Sequence, residues 1–174
     1  MKKIVIVNGL IAGLIVAIMM IIGTSMAYRN PDFEGSMLLG YAGMLAAFSL
    51  IFVGIKMFRD KHNEGHITFG KAFKIGLLIA LIASSIYVGV WLIEYYFFIP
   101  DFMELYSNHM LKDIQNKNLT PTEIDAQLSE IEMYKNLYKN PFFVILLTYT
   151  EILPIGILVT LISALILKRK PVVS

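Results

Sequence analysis

Glu151 is the one charged residue inside the four longest apolar runs of this chain, and it follows directly on Thr148, Tyr149 and Thr150. An acid in such surroundings either binds a proton or a cation, or makes a hydrogen bond across neighbouring helices. It lies nine residues past Phe142. That is about 14 Å into a hydrocarbon core about 30 Å thick, close to the midplane. Placing an acid there costs on the order of 3 kcal/mol on translocon scales, so the residue needs a reason. Pro154 comes three residues later. It has no N–H for the carbonyl of Thr150, and together with Gly156 it is expected to kink or loosen the helix. Hydroxyls that could meet Glu151 from other runs belong to Tyr41, Ser84, Ser85 and Tyr87. Glu151, Tyr87, Ser84 and Tyr41 therefore form a candidate ion- or proton-binding site. The competing reading is a neutral glutamic acid that only holds helices together. The absence of a second charge in these runs, which a proton relay would need, favours that second reading.

Other chemistry is sparse. There is no cysteine, which excludes disulfides and thiolate catalysis. His62, His66 and His109 are the only histidines. His62 and His66 are four apart with Glu64 between them, but Gly65 and the polar setting argue for a loop, and nothing completes a metal site. No zinc-protease, nucleophile-elbow or phosphate-loop pattern occurs. Ser36 and Asp60 have no identifiable catalytic mates. Glu94, among Trp91, Tyr95, Tyr96, Phe97 and Phe98, is expected to be a solvated carboxylate at the membrane interface, where aromatic residues collect. The chain is thus expected to be no enzyme and to carry no metal or cofactor.

These residues need elements to position them. The apolar runs are Ile4–Ala27, Gly35–Ile55, Ile75–Ile93 (extendable to about residue 98) and Phe142–Leu167. Each meets or nearly meets the roughly 20 residues that cross a bilayer. A helix is the open-chain structure that satisfies its own backbone in lipid, so four helices are expected. Composition agrees: 57% hydrophobic residues and a mean hydropathy of +0.68 exceed what a soluble domain shows. Four spans and their loops use nearly all 174 residues, leaving one membrane domain over 1–174. Lys2 and Lys3, five basic residues from Lys56 to Lys74, and Lys168–Lys170 make ten of the fifteen basic residues, all on one side of a four-span topology. Arg29, Lys112, Lys117, Lys135 and Lys139 are spread over the longer segments of the other side. Asp32 and Glu34 join most of the acids there. Excess Lys and Arg mark the cytoplasmic face, which puts both termini inside. Lys2-Lys3, an apolar run and Ser25-Met26-Ala27 also fit a cleavable signal. The run is too long for that, and a retained first span is expected.

The segment 101–140 has helical periodicity in two pieces. Phe102, Leu105, Tyr106, His109, Met110 and Ile114 form one stripe. Gln115-Asn116-Lys117-Asn118 interrupts it. Thr120-Pro121-Thr122-Glu123 then reads as an N-cap, a proline at the first helical position and a capping box. Ile124, Leu128, Ile131, Tyr134 and Tyr138 continue the stripe until Asn140-Pro141. A helical hairpin outside the membrane follows, either capping the bundle or docking a partner. Small residues at every fourth position, Gly9/Gly13/Ala17 and Gly76/Ala80/Ser84, with Gly40, Gly43 and Ala47 in the second run, mark faces where helices can approach closely. Leu38-Leu39-Gly40-Tyr41 faintly echoes Leu146-Leu147-Thr148-Tyr149.

One stretch has a distinctive pattern. Ile51–Asp60 followed by Gly65–Lys74, with Arg59, Asp60, Gly65, Phe69 and Gly70 as its marked positions, resembles the inner-loop signature of a family of small bacterial membrane proteins classed as a domain of unknown function. Ile99-Pro100-Asp101-Phe102, Leu137–Pro141 and Glu151–Gly156 are similar to its other recurrent pieces. The resemblance covers nearly the whole chain. It implies four spans in the cytoplasmic membrane and transfers no activity or site residue. The expected fold is all-α, four transmembrane helices with an extracytoplasmic amphipathic hairpin between helices 3 and 4. The expected role is a non-enzymatic structural or interaction protein. The alternative is a small transporter-like or proton/cation-coupled protein using Glu151. The lipid bilayer is the expected partner, with a second copy or another membrane protein left open and no nucleic acid.

Overall fold

A computed structural model of the chain describes residues 1–29, 33–117 and 119–169, with side chains throughout except those of residues 29 and 33–37. Asp32, Asn118 and Lys170, and the side chains of Arg29, Glu34 and Ser36, lie outside the described residues.

The helices are α1 (Lys2–Arg29), α2 (Phe33–His62), α3 (Phe69–Ile93), α4 (Phe102–Asn116), α5 (Pro121–Leu137) and α6 (Pro141–Leu167), with a π-helical turn, Glu94–Phe98, after α3. Four segments, Lys2–Tyr28, Leu38–His62, Phe69–Phe98 and Pro141–Leu167, are long and apolar enough to cross a membrane. The protein is an all-α, multi-pass membrane protein.

Two boundaries differ from those the hydropathy implied. α2 continues past Ile55 to His62, and α3 starts at Phe69 instead of Ile75. Apolar runs stop at the first lysine, but a helix does not. The long stem of a residue such as Lys56 carries its charge toward water while the backbone continues. α2 ends only where the N–H of Gly65 donates to the carbonyl of Arg59 at 2.9 Å, with Glu64 and Gly65 both at positive φ. Such a closure needs a left-handed backbone, which glycine tolerates. Thr68 then caps α3 by accepting from the Lys71 N–H. Ile67 between them is buried and exchanges backbone hydrogen bonds of 3.0 and 2.9 Å with Arg169, tying this connection to the end of α6. The connections and chain ends on this side carry the basic residues, so it is called the basic end below.

The four long helices pack in the ring order α1, α2, α6, α3, with α2 and α3 also touching across the middle. The small-residue stripes form the seams within this one chain. Gly9 and Gly13 of α1 lie under Ile82 and Ile86 of α3. α3 and α6 run antiparallel through the pairs Gly76–Thr160 and Ala80–Gly156, where a side-chain carbon on Gly76 would come within 2.7 Å of Thr160. Where lipid gives no hydrophobic drive, such backbone approach is what holds helices together. The echo between α2 and α6 also has a place: Phe48 meets Gly156 at the same sequence offset that relates Tyr41 to Tyr149, so two parallel neighbours carry it.

At the opposite end α4 and α5 form the hairpin. Its capping box is complete. The Glu123 N–H donates to the Thr120 hydroxyl, and the Glu123 carboxylate accepts from the Thr120 N–H at 2.8 Å. Asn140-Pro141 does more than end α5. Asn140 caps α6 by accepting from the Phe142 N–H at 3.0 Å, with Pro141 in the first turn.

Candidate functional site

Toward the hairpin end the inward residues change from glycine and alanine to tyrosine and tryptophan, and the helices no longer close on one another. A cavity of about 460 Å³ results. Met19, Met20, Thr24 and Ala27 of α1 line it, with Tyr41 of α2, Tyr87 and Trp91 of α3, and Leu147, Thr150 and Glu151 of α6. Phe102, Met103 and Tyr106 of α4 and Tyr134 and Tyr138 of α5 cover its end. These five residues therefore face the bundle. Five of the chain's nine tyrosines line this one space.

Glu151 faces the cavity about 15 Å from the start of α6. Its side chain is exposed, open to water-sized groups through the cavity, and part-buried only where it meets Tyr87. The Tyr87 hydroxyl donates to its Oε1 at 3.4 Å, a long and weak bond. Burial holds the Tyr138 hydroxyl well above the usual tyrosine range, and the negative charge of Glu151 pushes it further, so Tyr138 stays a neutral O–H donor. Burial likewise raises Tyr106, with Tyr134 and Glu130 adding to it. Among the described residues no lysine, arginine or histidine lines the cavity. The negative charge of Glu151 thus has no protein cation to balance it there, and neutrality at this depth requires a proton or an imported cation.

The other residues singled out for this site are placed unequally. Tyr41 joins Glu151 and Tyr87 in the cavity. Ser84 does not: it is completely buried, and the antiparallel register sets it opposite Ile152, one residue and so about 100° away from Glu151 around α6. Its hydroxyl has no hydrogen-bond partner in the structure. Ser85 bonds to the Tyr149 hydroxyl at 2.8 Å instead. Thr148 and Thr150 donate back to carbonyls of their own helix, Val144 and Leu147. α6 stays one helix through Pro154, and Gly156 serves the approach of Ala80 and Phe48.

Glu94 corrects a second expectation. It is 8% exposed, not a solvated carboxylate. The Thr24 hydroxyl donates to its Oε1, and its buried Oε2 has no hydrogen-bond partner among the described residues. In the π-helical turn that begins here Glu94 and Tyr95 are buried, and Phe97 and Phe98 are outside, 79% and 74% exposed. Glu94 also borders a smaller groove with Ile21, Ser25 and Tyr28. The sequence did not mark Thr24, Trp91, Tyr106, Tyr134 or Tyr138 as site residues. The one signal was that the tyrosines of the hairpin lie on its apolar face, where a purely greasy cap would carry leucine.

The signature residues of the basic end are structural. Arg59 and Asp60 pair at 2.6 Å, Gly65 makes the left-handed turn, and Phe69 stacks on Phe73. Gly70, in the first turn of α3, has open space around it. Lys71 reaches the Asn63 side chain at 3.0 Å and lies over the Phe58 ring at 4.9 Å. His62 stacks on Phe58, and His66 bonds through its backbone to Asn63. Among the described residues no group of three or more His, Cys, Asp or Glu is arranged to hold a metal ion.

A family profile described as "Protein of unknown function (DUF4199)" matches residues 8–169, which takes in nearly all of the four long helices and the whole hairpin. No curated protein and no solved structure matches the chain.

Proposed function

The chain belongs to the DUF4199 family, a membership that assigns no activity, and we propose from its cavity that it is a non-enzymatic membrane protein that takes up a proton or cation at Glu151. One observation carries this reading: an acid within the fourth span faces a cavity of about 460 Å³ that, among the described residues, holds no basic side chain. Sequence alone leaned toward a structural or interaction protein, because a lone intramembrane acid makes a cross-bundle hydrogen bond more often than a site. The space around Glu151 and the length of its bond to Tyr87 move the balance. An acid placed for packing would sit in a closed interface with a short bond.

A hydrophobic carbodiimide tests it. This reagent reacts with protonated carboxyl groups in apolar surroundings. Labelling should map to the peptide that contains Glu151, fall when cations are present, and vanish in Glu151→Gln. A Glu151 that never labels while the protein is folded, together with a Gln variant indistinguishable from wild type, would return the chain to the scaffold class.

The proposed setting is the bacterial cytoplasmic membrane with both termini in the cytoplasm. The support is the collection of basic residues at the end where the α2–α3 connection meets the end of α6. Reporter fusions after Lys61 and Lys170 should read cytoplasmic, and one near Asn118 external. The reverse pattern would overturn the orientation.

A further inference from the structure

The lining of the Glu151 cavity says what kind of cation it suits. A small metal ion needs six or more oxygen ligands at short range. The cavity offers one carboxylate and scattered hydroxyls, and its walls are mostly hydrocarbon. Such a site cannot replace the hydration shell of sodium, magnesium or calcium. It also exceeds the few water volumes that a bare proton site requires, and it falls in the size range of pockets that hold small organic molecules, about 300–1,000 Å³.

Aromatic faces supply what the oxygens do not. Trp91 meets Phe102 edge-on at 5.0 Å, Phe102 stacks on Tyr106 at 6.1 Å, and Tyr138 packs edge-on to Tyr95 at 5.4 Å. Of these rings all but Tyr95 line the cavity that Glu151 faces, together with Tyr41 and Tyr87. Aromatic faces attract organic cations through their quadrupoles, and most strongly where water is excluded. Met19 and Met20 add flexible, polarisable wall that adapts to irregular apolar shapes. One acid, several ring faces and, among the described residues, no competing lysine or arginine are the parts of a site for a cation that carries its own hydrocarbon.

We propose that this cavity binds an amphiphilic organic ammonium ion, its charged nitrogen at Glu151 and its apolar substituents against Trp91, Tyr41, Tyr106 and Tyr138. This rests on the reading of Glu151 as a cation site and narrows it to a ligand class. Tyr87 orients the carboxylate from α3, and the hairpin closes over the ligand.

The test uses the chain's single tryptophan, Trp91, which lines the cavity and reports its occupancy by fluorescence. The full chain in mild detergent is titrated with tetrabutylammonium, with sodium chloride, and with tributylphosphine oxide as an uncharged molecule of similar bulk. A saturable change in Trp91 emission is expected with tetrabutylammonium, at least tenfold weaker with the neutral oxide, and absent with sodium. Glu151→Gln should weaken the ammonium response at least tenfold. Tyr138→Leu, which keeps the bulk but removes the ring, should weaken it several-fold. Tyr87→Phe, a milder change, covers the case in which the Glu151 variant fails to fold, and should weaken binding measurably.

The outcomes separate cleanly. Glu151-dependent carbodiimide labelling that sodium suppresses, with no response to tetrabutylammonium, would overturn the ligand class and leave the cation site standing. Equal binding of the neutral oxide and the ammonium ion in wild type and Glu151→Gln would show a merely greasy cavity and sink the proposal. No labelling of Glu151 and no response to any cation would remove the underlying reading as well.

Discussion

The two halves of this bundle are built on opposite principles. Near the basic end, Gly9, Gly13, Gly76 and Gly156 bring backbones together, and Ile51, Ile55, Ile75 and Ile79 fill what remains without exposure. Near the hairpin end, Tyr41, Tyr87, Trp91 and Tyr138 hold the helices apart around a cavity. Each wall atom of a cavity lacks neighbours on one side and forfeits their dispersion attraction, so the open half gives up stability that the tight half must supply. Glu94 and Glu151 are in the open half, whereas Asp60, the other acid within the spans, is paired with Arg59 at the basic end. The division teaches that, without a hydrophobic drive between helices, a membrane protein concentrates its cohesion at one level and can then leave another level loose enough to hold a site.

The largest effect should come from striking the tight half. Gly76→Leu forces a side chain against Thr160 and Ile51, where even a methyl carbon lies within 3.0 Å of both. Relief requires α3, α6 and α2 to move apart together. Overpacking of this kind costs about 1–3 kcal/mol or more, and the folded yield in detergent should fall sharply. The contrasting change is Gly40→Ala in the open half. Nothing lies within 4 Å of that position, and alanine is the better helix former by about 0.8–1 kcal/mol. Thermal unfolding should show a clear loss for the first and no loss for the second. Equal losses would mean that the halves are not built differently.

A middle-sized effect belongs to Glu151→Leu. Leucine inserts more easily but removes the hydrogen bond from Tyr87 and leaves that hydroxyl without its partner. Such bonds are worth about 0.6–2 kcal/mol in membranes, and the 3.4 Å length argues for the lower end. Mild destabilisation is the expected sign. A clear gain in stability would mean that Glu151 meets lipid and not the cavity.

Much of this was legible in the sequence, and the illegible part has a common cause. The four spans, the hairpin and the Thr120 capping box follow from local patterns: apolar length, helical period, and a cap three residues before a glutamate. Glu151 stood out because its type contradicts its surroundings. Tyr106, Tyr134 and Tyr138 did not, because a tyrosine on an apolar stripe looks like packing until a facing acid is known. Ser84 was chosen by depth alone, and depth does not fix rotation about the helix axis. Glu94 was misread because its aromatic neighbours suggested the interface, although it continues the inward α-helical series of Tyr87 and Trp91. Local order is written in local sequence, whereas a cavity is written in which faces meet.

Smaller again is the effect of loosening the cap over the open half. Thr120→Ala should destabilise α5 by about 1 kcal/mol, the usual cost of a lost N-cap, without changing membrane insertion. Hydrogen exchange should rise at the amides that follow Pro121 and not in α1–α3. A hairpin with no protection anywhere from 121 to 139, even in wild type, would refute the cap altogether.

The same capping box makes the hairpin's order depend weakly on pH. The backbone N–H of Thr120, and after it the Thr120 hydroxyl, hold the Glu123 carboxyl below its ordinary value of 4.5. A group whose folded value is depressed favours the folded state when it is ionised. That contribution is fully present above about 4.5, the unfolded value, and disappears as pH falls through the lower folded value. Glu123 is solvent-exposed, so the effect is confined to the first turn of α5. Protection factors for the amides of residues 123 and 124, corrected for intrinsic exchange, should fall between pH 5 and pH 3 in wild type. In Glu123→Gln, which keeps an acceptor but cannot titrate, they should be lower at neutral pH and flat across the same interval. A wild-type profile as flat as that of the variant would show that the box does not hold the cap closed. The open half would then owe its roof to the contacts of Phe102, Tyr106 and Tyr138 with the bundle alone.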